Sequence, residues 1–273
     1  MSSTELISHY TSLEGFRGII ESKNIWATNV MFLNDNKEYF HAFEVFDSEF
    51  ERFKEDIKPS SNDDLFFLAA FRQCMDNMDL TGSEQHYVTS FSENLDQLSQ
   101  WRAYGSIGII FNRKRLEDSL QSNESVLCDT AACRYESSSL EAEFYGRIRD
   151  IYNDFQKALL DKGREEIFSL VVDLQIYLYD IAAFYKDGGF NEESEYRLSC
   201  ASTGREDVKF RSDGSYLIPY IEVPFNSNAI DSVIVGPCVD PERTERSIQL
   251  FMNHHFPKNT PKIYKSKSPF RNW

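Results

Sequence analysis

The chain has 273 residues, 44 of them acidic and 29 basic, for a formal net charge of −15. With 41% hydrophobic and 14% aromatic residues it holds enough apolar material for a core, which excludes wholesale disorder. Its acidity excludes a surface that grips duplex DNA everywhere, while leaving room for a local basic groove. No run approaches the length of a membrane-spanning helix, and residues 1–20 show no basic stretch followed by an apolar one. Neither a membrane segment nor a secretory leader is therefore expected. The five cysteines, Cys74, Cys128, Cys133, Cys200 and Cys238, form no CxxC and stand close in sequence to no histidine. The expectation is a cytoplasmic protein with reduced thiols, no structural zinc and no disulfide framework.

In chain order, a short half-apolar segment at Glu5–Tyr10 leads into Thr11 and Ser12. Leu13, Phe16, Ile19 and Ile20 then mark a helix, with Ser12 as N-cap and Asn24 as its stop. Ile25–Phe32 reads as a strand that ends in the turn composition Leu33-Asn34-Asp35-Asn36. Lys37–Lys58 carries Phe40, Phe43, Phe46, Phe50 and Phe53 at helical spacing, a stripe best read as a core face. A break at Pro59–Asn62 precedes a second helix from Leu65 to about Met78, capped by Asp63 or Asp64.

His86–Ser92 and Gly105–Asn112 read as strands on either side of a polar stretch, Glu93–Arg102. Val126–Tyr135 is another strand. Ser139–Tyr185 is almost continuously helical, broken at Asp161-Lys162-Gly163, and reads as an insertion lying on the sheet. Strands return at Glu195–Ala201, Tyr216–Phe225 and Ile230–Val235. Asp240-Pro241 opens a helix to Phe256, and Pro261–Lys265 is a last strand. The class is α+β, one domain over 1–273 with a helical insertion at about 138–186. Residues 241–273 hold seven basic against two acidic side chains, which reads first as a solvated face paired with acidic neighbours. The alternative is a place for a phosphate-bearing ligand.

Three constellations have residues suited to chemistry. His9-Tyr10-Thr11-Ser12 sits at a strand end just before a helix, where side chains and free amides meet. Phe32–Tyr39 places Asn34, Asp35 and Glu38 before or within the first turn of a helix, where capping alone accounts for the acids. Lys186 is followed by Glu193, Glu195 and Arg197, which fall two apart and so share one face of a strand. A structural ion network among them has even weight with a functional role, because like charges side by side need balancing.

Nearly the whole chain resembles the bacterial family known as domain of unknown function 2971. The resemblance rests on HYTS at His9–Ser12, the LND…E run of Leu33–Glu38, SFSE at Ser90–Glu93, QWRAYG at Gln100–Gly105 and GIIF at Gly108–Phe111. It continues through Lys186, ESEYRL at Glu193–Leu198, IVGP at Ile234–Pro237 and SKSPFR at Ser266–Arg271. The opening HYTS, with Ile19-Ile20 and Ile25-Trp26 behind it, is also similar to the entry of ADP-ribosyltransferases of the His-Tyr-Glu type.

That second resemblance implies a mixed or antiparallel β core, NAD as substrate and no metal. It implies that His9 binds a ribose hydroxyl, that Tyr10 and Thr11 lie against the nicotinamide, and that Glu195 or Glu193 supports its departure. Tyr10, Tyr39 and Tyr104 compete for the role of stacking tyrosine. Trp101 is a further aromatic wall, Asn34, Ser90 and Lys186 are polar contacts, and Arg197 and Arg271 suit a pyrophosphate. The implied activity is NAD-dependent ADP-ribosyl transfer, to a protein or nucleic acid, or NAD hydrolysis, in a bacterial anti-phage or toxin setting. A fixed carboxylate would stabilise the oxocarbenium-like charge that develops at the sugar. Two other readings stand beside it. One is a non-enzymatic nucleotide- or partner-binding module. The other is a magnesium-dependent nuclease using Asp35, Glu38, Glu193 and Glu195 with Lys186.

Overall fold

In the computed structural model of the chain, the described residues are 5–33, 36–81, 86–121, 127–135, 137–161, 163–201, 205–212 and 214–268. At 36–38, 74, 77–81, 127, 137, 161 and 205 the backbone alone is described. The first elements are β1 (Leu6–Thr11), α1 (Leu13–Ser22), β2 (Asn24–Asn29), α2 (Asn36–Ile57), α3 (Asn62–Thr81), β3 (His86–Ser92) and α4 (Leu98–Tyr104). They continue with β4 (Ile107–Asn112), α5 (Arg113–Gln121), β5 (Leu127–Ala132), α6 (Ser137–Asp161) and α7 (Ile167–Ala183). The last are β6 (Glu195–Ala201), β7 (Lys209–Ser212), β8 (Leu217–Pro224), β9 (Ile230–Val235), α8 (Pro241–His255) and β10 (Lys262–Lys265). The class is α+β. Among the described residues, no helix is long and apolar enough to cross a membrane.

Two compact units emerge where the sequence reads as one domain. One is Met1–Thr28, Tyr87–Cys133 and Phe190–Trp273; the other is Asn29–His86 and Arg134–Gly189. The helical insertion expected at 138–186 is thus half of the second unit, and the helices after β2 form the other half.

The first unit is built on a sheet whose strands run in the order β10-β9-β4-β1-β3-β2-β8-β7, with β6 attached to β3 and β5 to β6. β9 and β10 are parallel. The pairs β1–β3, β1–β4, β2–β8, β4–β9, β5–β6 and β7–β8 are antiparallel. Alternation decides which side chains enter the core. Ile7 of β1 lies opposite Phe111 of β4, and Ile109 opposite Val233 of β9; all four are fully buried in one apolar cluster. α1 adds Phe16, Ile19 and Ile20, α5 adds Leu116 and Leu120, and α8 adds Ile248 and Met252. Each such fully buried side chain contributes about 1.5–3 kcal/mol.

Local chemistry sets the helix ends. The Ser12 hydroxyl accepts the Gly15 N–H at 3.1 Å, and Lys23 closes α1 in the left-handed region with its N–H on the Ile19 carbonyl. Asp240 caps α8 by accepting the Arg243 N–H at 3.0 Å, with Pro241 at the first position.

The second unit is helical. The aromatic stripe of α2 is core: Phe46, Phe50 and Phe53 are buried with Phe67 and Phe71 of α3 and Phe144 and Phe155 of α6. The Phe50 and Phe71 rings stack at 4.7 Å. Asp64 of α3 accepts the Tyr152 hydroxyl at 2.6 Å and the N–H groups of Ser60 and Ser61. The tyrosine bond, then those amides, hold its carboxyl down to about 2, against the opposing effect of burial.

Several local expectations are revised. β2 stops at Asn29, whose side chain caps a 3-10 turn over Val30–Phe32 by accepting the Met31 N–H at 3.0 Å. The break expected around Gly163 is present: α6 and α7 are parted where Gly163 takes a φ of 77°. The expectation of free thiols fails at one pair. Antiparallel register sets Cys128 of β5 opposite Cys200 of β6, and the two are disulfide-bonded. They are 72 positions apart, so no local motif announces them.

Candidate functional site

β1 carries the first constellation. His9 lies in the same row as Ile7, opposite Ile109, and its ring sits 5.7 Å from that of Phe91 on β3. Its Nδ1 is 2.9 Å from the carbonyl oxygen of Ser90. A carbonyl only accepts, so Nδ1 carries the proton. Burial, with the charge of Arg211 adding to it, lowers the imidazole pKa below its ordinary value, against the opposing pull of the Ser90 carbonyl. The neutral ring therefore presents Nε2 as a hydrogen-bond acceptor.

The backbone explains why a side chain makes this bond. β3 pairs with β1, β2 and β6, and a strand has only two edges, so one edge is shared. β1 meets β3 only at Ser8 and Ser92. Beyond that pair the two strands part, and the His9 ring takes the Ser90 carbonyl that a neighbouring backbone would otherwise hold. A fork opens there, with Thr11 and the N-terminus of α1 at the end of β1.

The rest of HYTS is architecture. The Tyr10 hydroxyl donates to the Asn94 carbonyl at 2.5 Å and accepts the Gln97 N–H at 3.1 Å; burial pushes its pKa up to about 12. Its ring meets Trp101 edge-on at 4.5 Å. Thr11 packs so closely on α1 that a Cβ at Gly15 would come within 2.2 Å of its Oγ1.

QWRAYG is architecture too. Trp101 is 3% exposed, and its indole N–H donates to Asp96 at 2.8 Å. Gly108 and Gly236 make room for the ring: a Cβ there would lie 3.0 and 2.5 Å from it. Gly105, at a φ of 126°, lets the end of α4 approach the Thr11 carbonyl, where a Cβ would stand 2.6 Å away. The aromatic wall expected of Trp101 is thus a packed ring. Tyr104 is the half-buried last residue of α4.

Asp96 gathers three donors, the Trp101 indole, the Ser266 hydroxyl and the Lys267 N–H. Burial tends to raise its pKa, and these bonds outweigh that and leave it below the ordinary carboxylate value. Ser266 and Lys267 of the SKSPFR run are thereby given a structural role. Lys265 nearby pairs with Glu242 at 2.6 Å and Glu245 at 3.4 Å, as expected of a solvated basic face.

The second half of the expected site takes a different course. The backbone before β6 is bolted to the residues after β3. The Ser92 hydroxyl donates to the Glu193 carbonyl at 2.7 Å, Asn94 to that of Glu192 at 3.0 Å, and the Glu93 N–H to that of Ser194 at 2.9 Å. β6 turns Tyr196, Leu198 and Cys200 into the core cluster, so Glu195, Arg197 and Ser199 occupy its other face. Glu195 is 4% exposed and bound by Arg197 through two bonds, 2.7 and 3.2 Å. His9 shares the core-side row of Ile7 and contacts Phe91 of the same cluster. His9 and Glu195 therefore stand on opposite faces of the sheet, and the convergence of these two groups on one sugar is not what the structure brings about. Glu193 is half-buried in the 3-10 turn that precedes β6.

Tyr39 and Lys186 belong to the second unit, where both are buried. Burial first, then Tyr179 and Asp180, pushes the Tyr39 hydroxyl well above its ordinary range. Asn34, Asp35 and Arg271, and the side chain of Glu38, lie outside the described residues.

One residue escaped the sequence reading. Arg211 of β7 is half-buried and donates to the Thr28 hydroxyl of β2 at 2.9 Å. Its guanidinium carbon lies 5.7 Å from the Tyr220 ring, which in turn stands 5.2 Å from Trp26. Burial lowers its pKa, with Tyr220 opposing. The sequence reading assigns nothing to Lys209–Ser212, and only the pairing of β7 with β8 gives the arginine its place. No family model, curated protein or solved structure matches the chain.

Proposed function

We propose that the chain binds NAD or a related nucleotide at the fork between β1 and β3, with His9 accepting a hydrogen bond from a ribose hydroxyl. The observation that carries this reading is the single bond from His9 Nδ1 to the Ser90 carbonyl. It fixes both the tautomer and the orientation of a neutral imidazole, which suits a neutral hydroxyl donor and disfavours an anion at that position. The resemblance to His-Tyr-Glu ADP-ribosyltransferases supports the choice of nucleotide. Any acceptor is a protein or nucleic acid.

A second reading adds cleavage, as an ADP-ribosyltransferase or NAD glycohydrolase. The half-buried Glu193, whose backbone carbonyl accepts the Ser92 hydroxyl in the turn before β6, favours it over a role for Glu195. In that reaction the bond from C1′ to the nicotinamide nitrogen breaks and nicotinamide leaves with the bonding pair. Water or an acceptor group forms the new bond at C1′ and gives up a proton. A carboxylate close to the sugar would stabilise the developing positive charge.

Calorimetric titration of NAD into the full chain, with chromatography of released nicotinamide, tests both. Binding that falls at least tenfold in His9→Ala supports the first reading. Nicotinamide release lost in Glu193→Gln with binding retained supports the second. A chain that binds no NAD refutes both.

A further inference from the structure

α7 is apolar on two sides. Ile167, Leu174, Leu178 and Ala182 are buried, and the helix packs on α2 and α3. Phe168, Val172 and Ile176 follow one another at intervals of four and make a second row, 65%, 51% and 56% exposed. An amphipathic helix normally keeps its outer side polar. Single exposed apolar side chains are ordinary, whereas three large ones in one row, about 12 Å long at the helical rise, mark an interaction surface. The border of this row is acidic. α7 contains Asp173 and Asp180 and no basic residue. Glu165, three residues before Phe168, is exposed, and its neighbour Arg164 is engaged by Asp63 at 2.7 Å and by the Phe66 ring at 5.3 Å. Among the described residues no cation pairs with Asp173 or Glu165.

Shape and charge together choose the occupant. A row spaced by four packs against the same kind of row on another helix, ridge into groove. Uncompensated carboxylates beside the row select basic flanks and reject acidic ones. A second copy of the chain fits poorly. Two-fold antiparallel pairing about Val172 would match Phe168 with Ile176, but it would set Asp173 beside its own copy, between molecules of net charge −15 each. A lipid surface fits poorly as well, because helices that lie on membranes carry Lys and Arg on their polar face. We propose that the outer row of α7 docks an amphipathic helix of a partner protein, one with large apolar side chains along a single row and Lys or Arg beside it. This surface is independent of the nucleotide reading.

The test uses the full chain and a synthetic helical peptide with leucine along one row and lysine on both flanks, beside a control with glutamate for every lysine. Calorimetric titration is run at ~0.15 M salt, where attraction to distant charge is screened. The lysine peptide should bind one to one, and the glutamate peptide at least tenfold more weakly. Val172→Ser combined with Ile176→Ser should weaken the lysine peptide at least tenfold, and Asp173→Lys several-fold. All three positions are exposed, so Tm should not fall. Should the paired variant fail to fold, Asp173→Lys carries the comparison. Equal binding by wild type and variants, or no binding of the lysine peptide, overturns the proposal. Light scattering of the chain alone and flotation with phosphatidylcholine vesicles cover the other occupants. Self-association or vesicle binding that the paired variant abolishes overturns the proposal in favour of a second copy or a lipid surface.

Discussion

His9 Nδ1 stands 2.9 Å from the Ser90 carbonyl, at the point where β1 leaves β3 after the pair Ser8–Ser92. A ring nitrogen does there what a backbone N–H does elsewhere in the sheet, and the cost of removing it is predictable. His9→Ala should destabilise the chain by about 1 kcal/mol at pH 8, the net worth of one such bond. The sign of its pH dependence follows from the lowered imidazole pKa. As pH falls below the ordinary imidazole value, the unfolded chain takes up a proton that folded His9 does not, so wild type loses stability there through His9 while the variant, which loses only the His86 share, falls less. The gap between the two should therefore narrow from pH 8 to pH 5.5. Denaturant midpoints at both values check it, and a gap that widens refutes the assignment of a neutral ring.

Gly236 and Trp101 give a sharper mechanical test. A Cβ at Gly236 would come within 2.5 Å of the indole ring, which is itself fixed by its bond to Asp96. Gly236→Ala should cost about 1–3 kcal/mol, as for an overfilled core. Trp101→Phe in the same background should recover part of that loss by vacating the space. Urea unfolding of the two single variants and the double variant measures the coupling; simple additivity would mean that ring and glycine do not meet.

What the sequence reveals here follows from periodicity and caps. The Ser12 and Asp240 caps, the Phe46–Phe50–Phe53 stripe and the apolar run of β4 are local patterns, and each is where local chemistry puts it. α5 buries only Leu116 and Leu120, too few to show a period among charged neighbours, and is missed for that reason. α4 is seven residues long and held by Trp101 and Gly105 contacts rather than by its own pattern. β7 is a charged edge strand, the form that natural edges take, and so resembles a loop. In the site, HYTS stands out because it joins strand to capped helix. Which of its members leaves the sheet's own pairing depends on strand parting near Ser90, a long-range event. Arg211 is invisible for the same reason. Glu195 is legible as a strand residue, but its face follows from which neighbours join the core.

The Cys128–Cys200 bond predicts a dependence on reducing agent. It joins β5 to β6 across 72 positions, and closing a loop of that size in the unfolded chain is worth about 4 kcal/mol in the chain-entropy view. Reduction with a dithiol, or the Cys200→Ser variant, should lower the denaturant midpoint accordingly. Mass spectrometry after alkylation without reductant should leave these two cysteines unlabelled under denaturing conditions. If both are labelled, the pair is a contact of two thiols and the midpoint should not respond to reductant.

Glu195 and Arg197 decide between structure and catalysis for the residue that the ADP-ribosyltransferase resemblance singles out. Their two bonds are formed at 4% exposure for each residue, so the carboxylate charge is part of how Arg197 is accommodated. Breaking one side of such a pair costs about 3–5 kcal/mol, whereas replacing both with apolar side chains of similar volume is often neutral. Glu195→Gln should therefore destabilise strongly, and Glu195→Leu combined with Arg197→Met should restore most of the loss. A carboxylate that serves chemistry behaves otherwise: its removal leaves stability unchanged or raised and abolishes turnover, and no second substitution at Arg197 brings turnover back. Thermal melts of the two single variants and the pair, alongside nicotinamide release, separate the outcomes. A stable Glu195→Gln protein that binds NAD and releases no nicotinamide would return Glu195 to the catalytic role and would require the sheet face it occupies to receive the sugar.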